Sequence, residues 1–410
     1  MSSLNRVKTA VREVLFAFKG LFSFLLYLLP DYFSNCYFAK RALWISSTVG
    51  SGHGLFKVEF MSERYFSYEL TNEILSAGDM ARFYKRTRLK PPARRRFSES
   101  DIREILLLCG SAASTLFPVS TWTSFNRFTS SIRYRHHRKK NFARFAKSMR
   151  SVFSINDEEE VELLFRSHLR MTHRRRHMLM VDILAQRRNP KIDFSGADLL
   201  RDALKAGKGA IVWAFQFEYQ ALAGKRALRE QGFEPLQVSV DSHGFSDTAF
   251  GNATINRLLR SAENKYLKQR VVFDRSHGAS VMGKIISLLE QGELIILTNN
   301  VYAGNMFVEM PFGEAGYVSM PTSPLSIATR RNTPIFSMSI LETEPLRRME
   351  ATVEPLNGNR HAIPEDGTDK RDYARMARLA LDARDHLFRQ CQRAPDQFLV
   401  AENLAASRFE

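Results

Sequence analysis

Two short stretches hold the residues whose types and spacing could do chemistry. The first, DSHGFSDTAFGN at residues 241–252, sets His243 between Asp241 and Asp247. An imidazole titrates near neutrality, and a carboxylate on one ring nitrogen leaves the other to take a proton. The grouping therefore reads as a general base with an orienting acid, Asp247 or Asp241. A loop histidine beside an aspartate serves equally as a surface or capping residue, and both readings stand. The second stretch is the turn Phe215-Gln216-Phe217-Glu218 behind the apolar run at residues 209–214. Gln216 exchanges hydrogen bonds but has almost no basicity, and Glu218 acts as a base only where burial raises its pKa.

These residues need a scaffold, and from Asp198 onward the sequence alternates short apolar runs with amphipathic segments, the signature of βαβ units. The runs predict strands at residues 210–213, 236–240, 271–273, 294–297 and 334–340, with helices at 252–268 and 279–291 between them. An α/β fold follows, with a mixed, mostly parallel central sheet flanked by helices. Asn299 and Asn300 then sit at the end of one strand, placed to hydrogen-bond a substrate or an oxyanion, or to satisfy loop backbone. No Gly-rich loop completes a nucleotide-binding pattern: KAGKG precedes a strand and does not follow one. ATP and NAD chemistry have no support.

The 410 residues carry a net charge of +17, so anionic partners are expected. Nucleic acid is disfavoured, because no RNA- or DNA-binding motif accompanies the charge. The basic runs are RYRHHRKKNFARFAKSMR at 133–150 and RMTHRRRHMLM at 170–180. Phe142, Phe145 and Met149 sit at helical spacing in the first, which predicts one apolar face down and the charges in water. Arg174, Arg175 and Arg176 are candidates for binding lipid phosphate or an acidic carrier protein, with a solvated helix face as the alternative. The three cysteines are far apart, and the arginine-rich histidines lack carboxylates at ligand spacing, so neither a disulfide framework nor a metal site is expected. Near the amino terminus, VLFAFKGLFSFLLYLL at 14–29 reads as a hydrophobic membrane-anchor helix, monotopic or marginally spanning, or else as a buried core helix. The organisation expected is an anchor over 1–45, a basic helical region over 46–195, and an α/β core with a terminal helix over 196–410.

Segment order adds a family likeness. LLYLLP is followed by HHRKKNF, GKGAIVWAFQF, LLEQGELIILTNN, VEMPFGEAGYVSMPTSPLSIATRRNTPIFSMSI and RAPDQFLVAENL. In this order the chain resembles the bacterial lipid A lauroyl/myristoyl acyltransferases, which are lysophospholipid-acyltransferase-like enzymes. The stretch from Met310 to Phe336 is the most specific part. The resemblance implies transfer of a fatty acyl chain from acyl carrier protein or acyl coenzyme A to a lipid A-like glycolipid or related amphiphile. It implies no bound cofactor, an acidic carrier and an anionic lipid as partners, and a place at the cytoplasmic face of a bacterial inner membrane.

The family's catalytic signature is where the sequence departs. His-x-x-x-x-Glu/Asp falls on Gln216 and Ala221, and the Asp-Gln that the family usually carries falls on Asn299 and Asn300. Acyl transfer to a hydroxyl needs a base to take its proton, and an amide does not supply one. Either the base has moved, to His243 with Asp247 or Asp241 or to Glu218, or the chain keeps the fold without turnover and binds lipid or a partner enzyme. If sequential strands are neighbours, as is common, His243 approaches the site that Gln216 lines.

Overall fold

The computed structural model describes residues 67–76, 80–89, 94–241, 243–273, 278–299, 306–361, 372–401 and 404. The chain divides into two compact units, Met1–Glu59 and Phe60–Glu410, and all described residues belong to the second. The expected anchor at 14–29 lies outside them. Among the described residues no helix is long and apolar enough to cross a membrane.

Three long helices follow Ser98: α1 (Glu99–Ser114), α2 (Val119–Phe153) and α3 (Glu158–Leu184). Ser98 caps α1, its hydroxyl accepting from Ser100 N while its own backbone N donates to the Asp101 carboxylate. Asp157 caps α3 ahead of three glutamates, which complement the positive end of the helix. The expected apolar face of α2 is real: Phe145 and Met149 are fully buried and Phe142 packs against them. The three helices are pinned together by His177 on α3, whose Nδ1 lies 2.8 Å from Asn126 Nδ2 and whose Nε2 lies 3.1 Å from Ser114 Oγ. Burial pushes this imidazole down to about 4, so it is a neutral brace at pH 7.

The main sheet has seven strands in the order β3 (Lys191–Ser195), β11 (Arg348–Pro355), β10 (Ile335–Glu344), β4 (Ala210–Ala214), β7 (Leu294–Thr298), β5 (Leu236–Val240) and β6 (Gln269–Phe273). The five from β10 to β6 are parallel, and β11 and β3 run opposite to them at one edge. A second, antiparallel sheet joins β1 (Ser67–Ser76), β2 (Arg82–Leu89), β8 (Met306–Phe312) and β9 (Gly316–Pro321). The boundary expected at 195/196 therefore does not separate domains: β3 belongs to the main sheet, and β2 pairs with β8 from the far half of the chain.

After β4 the chain makes a wide turn, Gln220–Gly224, with the i to i+5 pattern of a π-helix, and enters α5 (Lys225–Glu230). The helix expected over 252–268 is two, α6 (Ala249–Ala253) and α7 (Ile255–Asn264), broken at Thr254. The one expected over 279–291 is α8 (Gly278–Glu290), and α9 (Ser323–Arg331) leads into β10. Side-chain alternation sorts two cores. Ile211 and Trp213 of β4 enter one, with Ile295, Ile335 and α10 (Tyr373–Arg393); Ala210, Val212 and Ala214 enter the other, with Leu294, Met338 and α4 (Ala197–Lys205). A central parallel strand covered on both faces must read as a continuous apolar run, and β4 does.

Entry into β4 depends on Gly209, at φ +63, where an added Cβ would sit 2.7 Å from Leu289 O and 2.8 Å from Glu293 O. Gly207 has a similar φ of +74 but nothing within 4 Å. Gly207→Ala should cost only the left-handed backbone penalty, about 1–2 kcal/mol. Gly209→Ala should cost clearly more, because backbone must move as well. Urea midpoints of the two variants measure the difference, and equal midpoints would contradict the tight fit.

Candidate active site at the carboxyl edge of the sheet

β4 and β7 lie side by side, yet the chain leaves β4 toward β5 and leaves β7, through β8 and β9, toward β10. Connections departing in opposite directions leave a crevice beyond the strand ends, where α/β proteins bind ligands. Gln216 and Asn299 occupy that place. Asn299 N donates to Ala214 O at 3.1 Å, and the Gln216 carbonyl accepts from Leu399 N at 3.0 Å. The terminal segment packs onto the turn through the Phe217 and Phe398 rings, 5.5 Å apart, and through Glu218 N donating to Gln397 O at 3.0 Å. The side-chain oxygens Gln216 Oε1, Gln220 Oε1, Asn299 Oδ1 and both of Glu218 are buried without a hydrogen-bond partner. Buried acceptors left open in this way mark a place completed by water or ligand. Asn300 lies outside the described residues.

Glu218 is fully buried, with Arg175 Nη1 at 3.4 Å from its Oε2. This links it to α3, where the three expected docking arginines prove to be internal braces. Arg174 is buried in an ion pair with Glu342, and Arg176 grips Glu104 of α1 through two bonds of 2.5 Å. Arg175 also lies 4.9 Å over the Phe245 ring. Consecutive residues on a helix point about 100° apart, so the triplet has no common face to offer a carrier protein.

His243 stands at the end of β5, and β7 separates β5 from β4. Two strand spacings of ~4.8 Å put the strand ends roughly 10 Å apart, so the expected strand adjacency that would bring His243 to Gln216 does not hold. β5 pairs with β7 only at Leu236 and Gln237, and its later residues are free of that partner. The His243 loop is built tightly. Gly244, at φ +152, leaves no room for a Cβ beside the Asn256 side chain. Asn256 bonds both the N and O of Ser246, while Ser246 Oγ and Thr248 Oγ1 donate to Asp101 of α1.

The carboxylate that orients His243 is neither of those the sequence suggests. Asp241 pairs with Arg94 at 2.6 Å, and Asp247 is exposed. His243 Nε2 lies 3.0 and 3.1 Å from the two oxygens of Glu263, which is fully buried on α7. A carboxylate accepts, so Nε2 carries the proton and Nδ1 keeps its lone pair. Lys225 of α5 lies 3.1 Å from Glu263, and Arg270 of β6 lies 2.6 Å from it, donating also to Gln237 Oε1 and Ser239 Oγ at 3.3 Å. The alternation of LQVSV explains the placement: Leu236, Val238 and Val240 enter a core, and Gln237 and Ser239 face the opposite side.

Burial, reinforced by Lys225 and Arg270 and opposed by Glu263, holds His243 below its ordinary 6.5. Glu263 itself is held well below the carboxylate range by its three partners, against the effect of burial. Burial takes Lys225 down to about 8. The group amounts to a neutral imidazole, a fifth exposed, on a carboxylate fixed by two cations. Sequence reasoning missed Glu263, Lys225 and Arg270. Their spacing carries no motif, and only the Glu on a helix following the His243 loop hinted at a partner.

Among the described residues no cluster of histidine, cysteine and carboxylate could hold a metal ion. In comparisons with protein-family models and with curated proteins, the chain matches none.

The cluster makes a testable statement. Glu263→Gln leaves Lys225 and Arg270 without their counter-charge and should cost about 3–5 kcal/mol in urea unfolding. Lys225→Met keeps the Glu263–Arg270 pair and should cost far less. It should also raise the His243 pKa, read by NMR titration of the ring, because one neighbouring cation is gone.

Proposed function

We propose that this chain is a membrane-associated acyltransferase, moving a fatty acyl chain from acyl carrier protein or acyl coenzyme A to a lipid A-like glycolipid or related amphiphile. The supporting observation is the His243–Glu263 pair, a neutral imidazole held by a buried carboxylate near the carboxyl edge of a parallel sheet. In the proposed reaction His243 Nδ1 takes the proton of the acceptor hydroxyl as its oxygen attacks the thioester carbonyl. Glu263 stabilises the imidazolium that forms. The tetrahedral intermediate then expels the thiolate, which recovers the proton, leaving an ester and a free thiol. In this reading the amide of Asn299, at the end of the strand between β4 and β5, would hydrogen-bond the oxyanion, and that of Gln216 a more distant substrate oxygen. The segment at 14–29 would serve as the anchor at the cytoplasmic face of a bacterial inner membrane.

A second reading has its own support. An amide at Gln216 and the intervening β7 both favour an acyltransferase-fold protein that binds lipid or a partner enzyme without turnover.

Acyl transfer by the full chain, with labelled acyl carrier protein or acyl coenzyme A and a total lipid extract, tests the first reading. His243→Ala should lower the rate about 10²–10⁴-fold while leaving the fold intact. Because the His243 pKa is depressed, the wild-type rate should stay level as pH falls through 6.5 and decline only below it. A rate unchanged by His243→Ala would refute the proposed base, and no transfer from any donor would select the second reading.

A further inference from the structure

Soluble surfaces keep large apolar side chains dispersed, yet several are gathered on the first two helices. Ile102 and Leu106 of α1 are 48% and 65% exposed, and Phe128 and Ile132 of α2 are each 66% exposed. Their placement follows from one contact. A Cβ on Gly110 of α1 would lie 3.5 Å from the tip of the Phe125 ring on α2, so the helices meet there. Leu106 is four residues from Gly110, and Phe128 and Ile132 are three and seven from Phe125. Each therefore lies on the side of its helix that carries the contact, one or two turns further out. Their exposure means that the helices do not close over each other beyond that point.

Charge identifies what covers this face. α2 contains no acidic residue between Val119 and Phe153, and it exposes Arg127, Arg135, Lys139 and Lys140 along and beyond the apolar side chains. A protein partner chosen for charge alone would not need Phe and Ile at the centre, whereas an interface of anionic headgroups over acyl chains matches both. We propose that the α1–α2 hairpin docks on an anionic phospholipid bilayer, with Leu106, Phe128 and Ile132 entering the acyl boundary and the α2 cations on the headgroup phosphates. This goes beyond the reaction proposed above and holds whether or not the chain turns over.

The test uses the full chain with Cys36→Ser and Cys109→Ser, leaving the buried Cys391. An environment-sensitive fluorophore is placed on Phe128→Cys or, as control, on Leu199→Cys of α4, which is 52% exposed. The protein is added to vesicles of phosphatidylcholine alone or with phosphatidylglycerol, each carrying brominated acyl chains. On phosphatidylglycerol vesicles the probe at Phe128→Cys should shift to the blue and be quenched several-fold more than the control, with the difference shrinking as salt rises. Equal quenching at the two positions, or quenching indifferent to phosphatidylglycerol, overturns the proposal even if the chain sediments with vesicles through another segment. A shift produced by an acidic carrier protein and not by vesicles would assign the face to a protein partner, and also overturns it. Acyl-transfer activity enters none of these readouts.

Discussion

Burial of β4 on both faces is the constraint on which the rest of the molecule depends. Five residues, Ala210–Ala214, are sealed from water, so every peptide group in them must be paired from within. β10 and β7 supply that pairing on either side, and two separate cores supply the packing above and below. The strand can end only where the covering layers part, beyond its carboxyl end. Gln216 and Asn299 emerge there with open acceptors, against a terminal segment that crosses the turn and closes one wall.

The second organising interaction is the Glu263 carboxylate. A charge with no exposure would be expelled from a protein interior unless its partners were fixed. Here they come from three elements, α5, β6 and the loop after β5, so one ion centre ties together three separate pieces of the chain. Its two cations, Lys225 and Arg270, exceed it in charge by one. Burial first, and then these two cations, hold the His243 imidazole below its ordinary pKa against the opposing pull of Glu263.

The strands that bury themselves were legible in the sequence. The apolar runs at 236–240 and 294–297 match β5 and lie within β7, and the run at 334–340 falls almost wholly in the longer β10. What escaped was whatever depends on partners distant in the chain. β1 and β2 have mixed composition because they form an antiparallel sheet completed by β8 and β9, and β3 and β11, at and next to one edge of the main sheet, alternate apolar with polar residues and so lack the continuous apolar run of the central strands. The order of strands was also hidden. The loop that brings β7 between β4 and β5 leaves no local trace, and with it went the guess that His243 and Gln216 adjoin. At the site, His243 was readable as a titratable group, but Glu263 was not, since a helix face with one acid looks like any solvated face. The arginine triplet at 174–176 misled for a related reason: a run of charge in sequence says nothing of the carboxylates waiting on other elements.

The wide turn at Gln220–Gly224 couples the two halves of the site. Relative to a regular α-helix such a turn holds one additional residue, and each residue rotates the next side chain by about 100° around the helix axis. Lys225, directly behind it, is thereby aimed at the interior, where it reaches Glu263 and the Ala221 carbonyl. Straightened into ordinary helix, the same sequence would swing that ammonium group away, leaving the carboxylate with one cation fewer and the imidazole readier to charge. The phase of a single helical turn after β4 thus adds to the burial that holds down the proton affinity of a residue two strands away.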